Sequence, residues 1–315
     1  MHASVAKHYF NGGSFPIGGS SEIANNIDKV IEKSNGTILV NAEVKEIIIE
    51  NNKAIGVEMN DGKTFFSNLI ISGTGVFQTF NQLVPKSLSN KHGFNLNLKK
   101  VKPSVAHGCL YIGLNGTAKE LGLPKNNLWI YPENIDHDTA VDNYLKDNES
   151  EFPLVYISFA SSKDPTWQSR YPGKSTIDVI TLLPYENFIK WEGTKWMKRG
   201  DDYNNLKEKI SQRLLKHLYD QLPQLKGKID TYELSSPLTT KNFVNYSKGE
   251  LYGLDHTPSR FNQKFLRPKT SIKNLYLTGQ DIVSAGVGGA LFSGLITASR
   301  ITGVNFMKKI YKKEG

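Results

Sequence analysis

One cysteine, Cys109, stands in a chain of 315 residues, so no intrachain disulfide can form and no cysteine metal cluster exists. It lies in the strand-like run Gly108-Cys109-Leu110-Tyr111-Ile112, where it reads as a small apolar filler; a nucleophile would need an activating environment. The seven histidines show no His-x-x-x-His pair and no Glu-flanked ligand spacing, so no metal site is expected. No catalytic triad is visible either. The opening Met1-His2-Ala3-Ser4 lacks the basic and apolar regions of a signal peptide. One uncharged run, Ile282 to Ser299, has about the length of a membrane helix, but four glycines, three serines and a threonine make it too polar and flexible for a span. The expectation is an intracellular chain with no clear transmembrane helix.

What is present is ordinary for a globular protein. Hydrophobic residues make up 38% and charged residues 22%, which excludes disorder and collagen-like repeats. At about 150 residues per domain the length suggests two domains. Lys and Arg exceed Asp and Glu by 39 to 30, a net charge of +9 that could attract nucleic acid, anionic lipid or a phosphorylated cofactor. The charges look mostly dispersed, so nucleic acid is not expected as a partner. The densest cluster is the terminal Lys308-Lys309-Ile310-Tyr311-Lys312-Lys313, read as a solvated tail, with membrane-surface contact as the alternative because Phe306, Ile310 and Tyr311 are interleaved.

From Tyr9 to Gly19 the chain is punctuated by glycine. Ser20 or Ser21 then caps a helix with Glu22 in its first turn, Ile23, Ile27, Val30 and Ile31 at helical spacing, and Asn35-Gly36 as the stop. Strand signals follow at Thr37–Val40, Val44–Ile49 and Ala54–Met59, with turns at Asn51-Asn52 and Asp61-Gly62. Leu69 to Gly75 is a buried-type strand running into a glycine loop. In the less regular middle, Leu206, Ile210, Leu214, Leu218 and Leu222 mark one clear helix, ended by Pro223, whose stripe reads as core. Helix and strands together indicate a mixed α/β fold.

The last region is the most informative. Asn274-Leu275-Tyr276-Leu277-Thr278-Gly279 is a short buried strand ending in glycine. Gln280-Asp281 follows, then a loop Gly286-Val287-Gly288-Gly289, then a helix from about Ala290 to Thr302. Glycines let backbone approach a ligand, and a first helical turn presents free N–H groups to negative charge. Asp281, at the carboxyl end of the strand, can accept a hydrogen bond from a sugar or ribityl hydroxyl. The Gly12-Gly13 and Gly18-Gly19 pairs are open to two readings, plain turns or a loop lying against a flat ring.

The segment His8-Tyr9-Phe10-Asn11-Gly12-Gly13-Ser14-Phe15-Pro16-Ile17-Gly18-Gly19-Ser20-Ser21-Glu22-Ile23-Ala24 resembles the stretch before a helix in the retinol saturase (all-trans-retinol 13,14-reductase) family. That family sits in the carotenoid isomerase and phytoene desaturase branch of the FAD-dependent amine-oxidase-like flavoproteins. Further similar stretches are Leu121–Pro124, Ser162–Trp167, Ser236–Thr239, Tyr252–His256 and Asn274–Asp281, so the likeness runs from about His2 to Thr302. Lys163–Trp167 points most narrowly to the saturases.

The resemblance implies an FAD-dependent oxidoreductase acting on CH–CH bonds, reducing a C=C bond of a retinoid or carotenoid-like polyene, with NAD(P) as electron donor; isomerase or desaturase activity is a further alternative. It implies an FAD half-site of Gly18, Gly19, Val44, Gly73, Gly75, Gly279, Asp281, Gly288, Gly289 and Ala290. Tyr252 and His256 are the candidate proton donors. Such families open with Gly-x-Gly-x-x-Gly, which is lacking near the start here. The expected architecture is therefore an incomplete FAD-binding domain at 17–76 and 271–307, a substrate domain with a mixed sheet and helices at 1–16 and 77–270, and a basic tail at 308–315. The same lack motivates the alternative of a non-catalytic remnant, or one part of a split flavoprotein with a separate N-terminal fragment. It also leads us to expect open strand surface at Ile70, Ile71 and Leu277, and poor solubility of the chain alone.

Overall fold

A computed structural model describes residues 10 and 12–311. Residues 1–9, Asn11 and 312–315, which include part of the opening glycine segment and half of the basic tail, lie outside the described residues. The chain divides into two compact units. The first comprises Met1–Leu39, Gly108–Leu182 and Met197–Ser236; the second comprises Val40–His107, Leu183–Trp196 and Pro237–Gly315.

The first unit is built on a five-stranded sheet of β5 (His107–Asn115), β6 (Leu128–Ile130), β7 (Val155–Ser158), β8 (Lys174–Leu182) and β9 (Ile229–Ser235), in the order β6-β7-β8-β5-β9. One face is apolar by strand alternation: Leu110, Ile112 and Leu114 of β5 and Ile177 and Val179 of β8 are all buried. The expected leucine helix is there, as Asp201–Gln221, with Ile210, Leu214 and Leu218 buried. The earlier helix α1 (Ser21–Lys33) forms where Ile23, Ile27 and Val30 recur, yet buries no residue. Neither serine caps it through its side chain: Ser20 is the N-cap residue but makes no such bond.

In the second unit β1 (Val44–Glu50), β2 (Lys53–Met59) and β3 (Thr64–Phe66) form an antiparallel meander. Asn51 and Asn52 both have positive φ, 47° and 61°, which makes the tight turn of the β1–β2 hairpin. β4 (Ile70–Ser72) and β10 (Leu275–Leu277) make a separate parallel pair, with Leu275 opposite Ile70 and Leu277 opposite Ser72. Ile47, Phe80, Phe94, Leu266, Ile272 and Leu275 lie in the core of this unit.

Two local expectations need correction. Thr37–Val40 is not a strand; Leu39 and Val40 are exposed, because nothing pairs with that edge. The helix α2 (Gly286–Thr302) begins four residues earlier than expected, so Gly286 to Gly289 are its first turn rather than a loop. Of the strand surface expected to be open, Ile71 is exposed but Leu277 is covered. Among the described residues no helix is long and apolar enough to cross a membrane.

Candidate functional site

β4 and β10 run parallel, so their carboxyl ends lie side by side, and each ends in a glycine loop: Gly73-Thr74-Gly75 and Thr278-Gly279-Gln280-Asp281. The Thr278 amide donates to Ser72 O at 2.9 Å, carrying the pairing into the loops. A Cβ on Gly279 would lie 3.5 Å from Gly73 O, so the two loops touch through bare backbone.

Asp281 sits at the centre and is 5% exposed. Its Oδ2 accepts the Val76 amide at 2.8 Å and its Oδ1 accepts the Leu254 amide at 3.0 Å. Burial pushes this carboxyl above the usual carboxylate range, against the pull of those two amides and of Arg260. Two glycines allow the approach. Gly253 has φ +63°, and a Cβ there would stand 2.1 Å from Asp281 Oδ1; Gly75 has φ +88°, with Asp281 Oδ2 at 3.1 Å. Arg260, itself buried, donates from Nη2 to Gln280 O at 2.8 Å and from Nη1 to Leu254 O at 3.2 Å. Arg260 thus holds the loop from behind. No sequence reading singled it out, because a lone arginine after a proline carries no pattern.

The start of α2 is fixed by side chains and packing. His256 Nε2 accepts the Ala285 amide at 2.8 Å, and Gln280 Oε1 accepts the Gly286 amide at 3.2 Å while its Nε2 donates to Tyr246 Oη at 2.7 Å. The helix lies close on β10: Thr297 Oγ1 donates to Leu277 O at 2.9 Å, and Ser293 is fully buried. A Cβ on Gly289 would fall 1.9 Å from Ser284 O, whereas one on Gly288 would meet nothing within 4 Å. Gly288 and Val287 are exposed and Ala290 is half-buried, so the outer side of the first turn is open, and the N-cap residue Ala285 makes no side-chain bond to it.

The structure brings Gly73, Gly75, Gly279, Asp281, Gly288, Gly289 and Ala290 into this one region of the second unit. Val44 lies at the start of β1, opposite Met59. Gly18 and Gly19 belong to the first unit, both at positive φ, with the Gly19 amide donating to Pro16 O. There Asp164 of the Lys163–Trp167 stretch accepts the Gly18 amide, the Thr166 amide and hydroxyl, and the Arg170 guanidinium. Tyr252 is exposed, its amide donating to Ser104 Oγ. His256 spends Nε2 as an acceptor for the Ala285 amide.

A second cluster went unnoticed in the sequence. The half-buried face of the five-stranded sheet carries Cys109 and Tyr111 on β5, Ser158 on β7 and Asp178 on β8, with Ser158 directly opposite Asp178. Lys163 Nζ donates to Ser158 Oγ at 3.1 Å. Burial raises the Asp178 carboxyl, opposed by Lys163, and burial lowers the Lys163 ammonium. Burial and the neighbouring Cys109 and Asp178 raise Tyr111. The Cys109 thiol, pushed up to about 12 by burial and Asp178, is inert. Trp129 and Tyr156, at 4.6 Å between ring centres, extend the strand pairs next to it. The signal available was a carboxylate inside the alternating strand Lys174–Leu182. Among the described residues no group of three His, Cys, Asp or Glu could hold a metal.

No protein-family model matches the chain. It is 36% identical to the all-trans-retinol 13,14-reductase of Danio rerio over 97% of its own length and 52% of that protein's. It is 32% identical to an inactive all-trans-retinol 13,14-reductase of the same organism, over 96% and 51%. It is 26% identical to a chloroplastic prolycopene isomerase of Arabidopsis thaliana, over 94% and 47%. The chain thus spans about half the length of the curated relatives it matches. Among solved structures it is similar to a putrescine oxidase variant made to redesign cofactor binding, with TM-score 0.56 and 11% identity over 91% of this chain and 54% of that one. A Methanosarcina mazei oxidoreductase gives TM-score 0.53 and 19% identity over 91% and 55%. These structures share the fold, and the resemblance to the retinol saturase and carotenoid isomerase branch holds along nearly the whole chain.

Proposed function

We propose that this chain contributes the FAD and substrate contacts of an oxidoreductase that reduces a C=C bond in an apolar polyene of retinoid or carotenoid type. The observation that carries this reading is the pair of glycine loops at the ends of parallel strands, tied by Gln280 to the glycine-rich first turn of α2, in a chain 36% identical to a retinol 13,14-reductase. The site's chemistry fits FAD. Asp281 keeps free lone pairs for a ribityl hydroxyl beyond the two amides it holds, since a carboxylate offers about four acceptor positions. The open side of Gly288 leaves room for a flat ring, and the first-turn amides of α2 favour partial negative charge.

When bound, FAD supplies the hydride for such a reduction. The chain's own residues have the remaining tasks. Asp281 orients, Gly73, Gly75 and Gly279 bring backbone close, and the exposed apolar face at Val287 and Leu291 offers an apolar ligand a surface. The other alkene carbon needs a proton. Tyr252, exposed in the same unit as the glycine loops, is the candidate to supply it, whereas His256 Nε2 is already an acceptor. NAD(P) as electron donor, a separate N-terminal fragment and peripheral attachment to a membrane belong to the same proposal. Isomerisation or desaturation of a polyene is the neighbouring alternative.

A second reading is favoured by the double engagement of Asp281: the carboxylate serves only to tie Val76 and Leu254 together, and the chain is a non-catalytic remnant or half of a split flavoprotein. The test is flavin retention by the purified protein, alone and mixed with a fragment carrying the Gly-x-Gly-x-x-Gly unit. Bound flavin that is weakened about tenfold or more by Asp281→Asn, with folding kept, supports the catalytic reading. A colourless protein in both preparations removes it.

A further inference from the structure

The nine surplus positive charges are less dispersed than the texture of the sequence suggests. Residues 256–313 contain ten Lys or Arg and a single acid, Asp281, so that stretch alone carries a net charge of +9. Asp281 is buried against backbone amides and leaves the surface cations uncompensated.

Folding draws four of these cations around one pocket of the second unit. Lys264, Arg267, Lys269 and Arg300 line a cavity of about 520 Å³, together with Pro268 and Ile296. All four are exposed, and among the described residues none has a carboxylate at ion-pair distance. Both walls are tied to β10. Leu277 donates its amide to Pro268 O at 2.8 Å, Lys269 bridges to Tyr276, and the Thr270 hydroxyl donates to Leu275 O at 2.9 Å. On the other side Thr297 anchors α2 to Leu277 O, and Ile296 and Arg300 project from that helix. At 1.5 Å per residue they lie roughly 15 to 20 Å along α2 from its first turn, so the pocket is separate from the Asp281 loop.

We propose that this pocket binds the phosphate or pyrophosphate group of a phosphorylated ligand. Two guanidinium forks match phosphate oxygens in pairs, two ammonium groups add charge without fixed direction, and a concavity of one sign focuses the field on an incoming dianion. Pro268 and Ile296 give the apolar remainder of the ligand a surface. The proposal does not depend on flavin binding at Asp281.

Titration calorimetry of the whole chain with inorganic pyrophosphate, and flotation with phosphatidylcholine vesicles with or without phosphatidic acid, test it. The wild type is expected to bind in at least one arm, more weakly as salt rises. Arg267→Ala with Arg300→Ala is expected to weaken that binding at least ~tenfold, and Arg267→Lys with Arg300→Lys to recover part of it. Lys209→Ala with Lys216→Ala removes the same net charge elsewhere and is expected to change binding less than ~twofold. Loss in the pyrophosphate arm identifies a soluble phosphate; loss in the phosphatidic acid arm alone identifies a lipid headgroup. Failure of the wild type to bind either probe, or equal weakening by the two alanine pairs, overturns the proposal.

Discussion

Asp164 ties the Gly18 loop to its own turn through one carboxylate, which accepts from the Thr166 hydroxyl and amide at 2.8 and 2.9 Å, from the Gly18 amide and from Arg170. Burial pushes its pKa up, but those donors outweigh it and leave it at about 2. The folded value is thus below the roughly 3.9 of an unfolded chain, so the carboxylate's stabilisation is complete above about pH 4 and is lost as pH falls towards 2. Thermal melts between pH 5 and pH 2.5 are expected to fall more steeply for the wild type than for Asp164→Asn. Parallel slopes would show that the carboxylate stabilises no more in the folded state than in the unfolded one. Lys163–Trp167 is legible in the sequence as a motif, but its contact with Gly18, far away in the chain, is not. Only folding put the two together.

At the scale of an element, α2 separates two glycines that look alike in sequence. Gly289 packs where a Cβ would overlap Ser284 O at 1.9 Å, while Gly288 faces open space. Gly289→Ala is expected to destabilise by about 1–3 kcal/mol through forced backbone movement. Gly288→Ala is expected to be neutral or to stabilise by up to about 1 kcal/mol, since alanine outranks glycine within a helix. Chemical denaturation of both variants checks this, and equal effects would refute the assigned packing. The helix itself was legible from its small residues, but its start was not. Three glycines suggested a loop, and the contact that makes them helical is with Ser284, itself outside any periodic pattern. The leucine helix Asp201–Gln221 was read correctly because a stripe every four residues with a proline stop leaves few alternatives. The Thr37–Val40 run was misread because β-branched residues favour a strand only where an edge is available to pair.

For the molecule as a whole, each unit leaves apolar surface in water. In the first, Ile23, Ile27 and Val30 of α1 are exposed along one stripe; in the second, Phe66, Ile71, Val287 and Leu291 are exposed. A parallel sheet is normally covered on both faces, and the two-stranded β4–β10 pair leaves Ile71 46% exposed. The isolated chain is expected to bind a hydrophobic dye strongly and to associate as its concentration rises, with both effects reduced by Ile71→Ser combined with Val30→Ser. A monodisperse, heat-stable monomer without dye fluorescence would contradict this.

The sequence alone determined the mixed α/β character, the leucine helix, the Asn-Asn hairpin, the inert cysteine and the resemblance to the saturase branch, because each rests on local periodicity, turn chemistry or contiguous motif. The tertiary structure decided what depends on contacts between distant segments. Asp281 is clamped by Val76 and Leu254, Arg260 supports its loop, and His256 is an acceptor at a helix start. Asp178 and Tyr111 share a sheet face, and four cations from two segments meet in one pocket. Burial and charge act through space, and residues far apart in the chain reveal those effects only once the backbone has brought them within a few ångströms of each other.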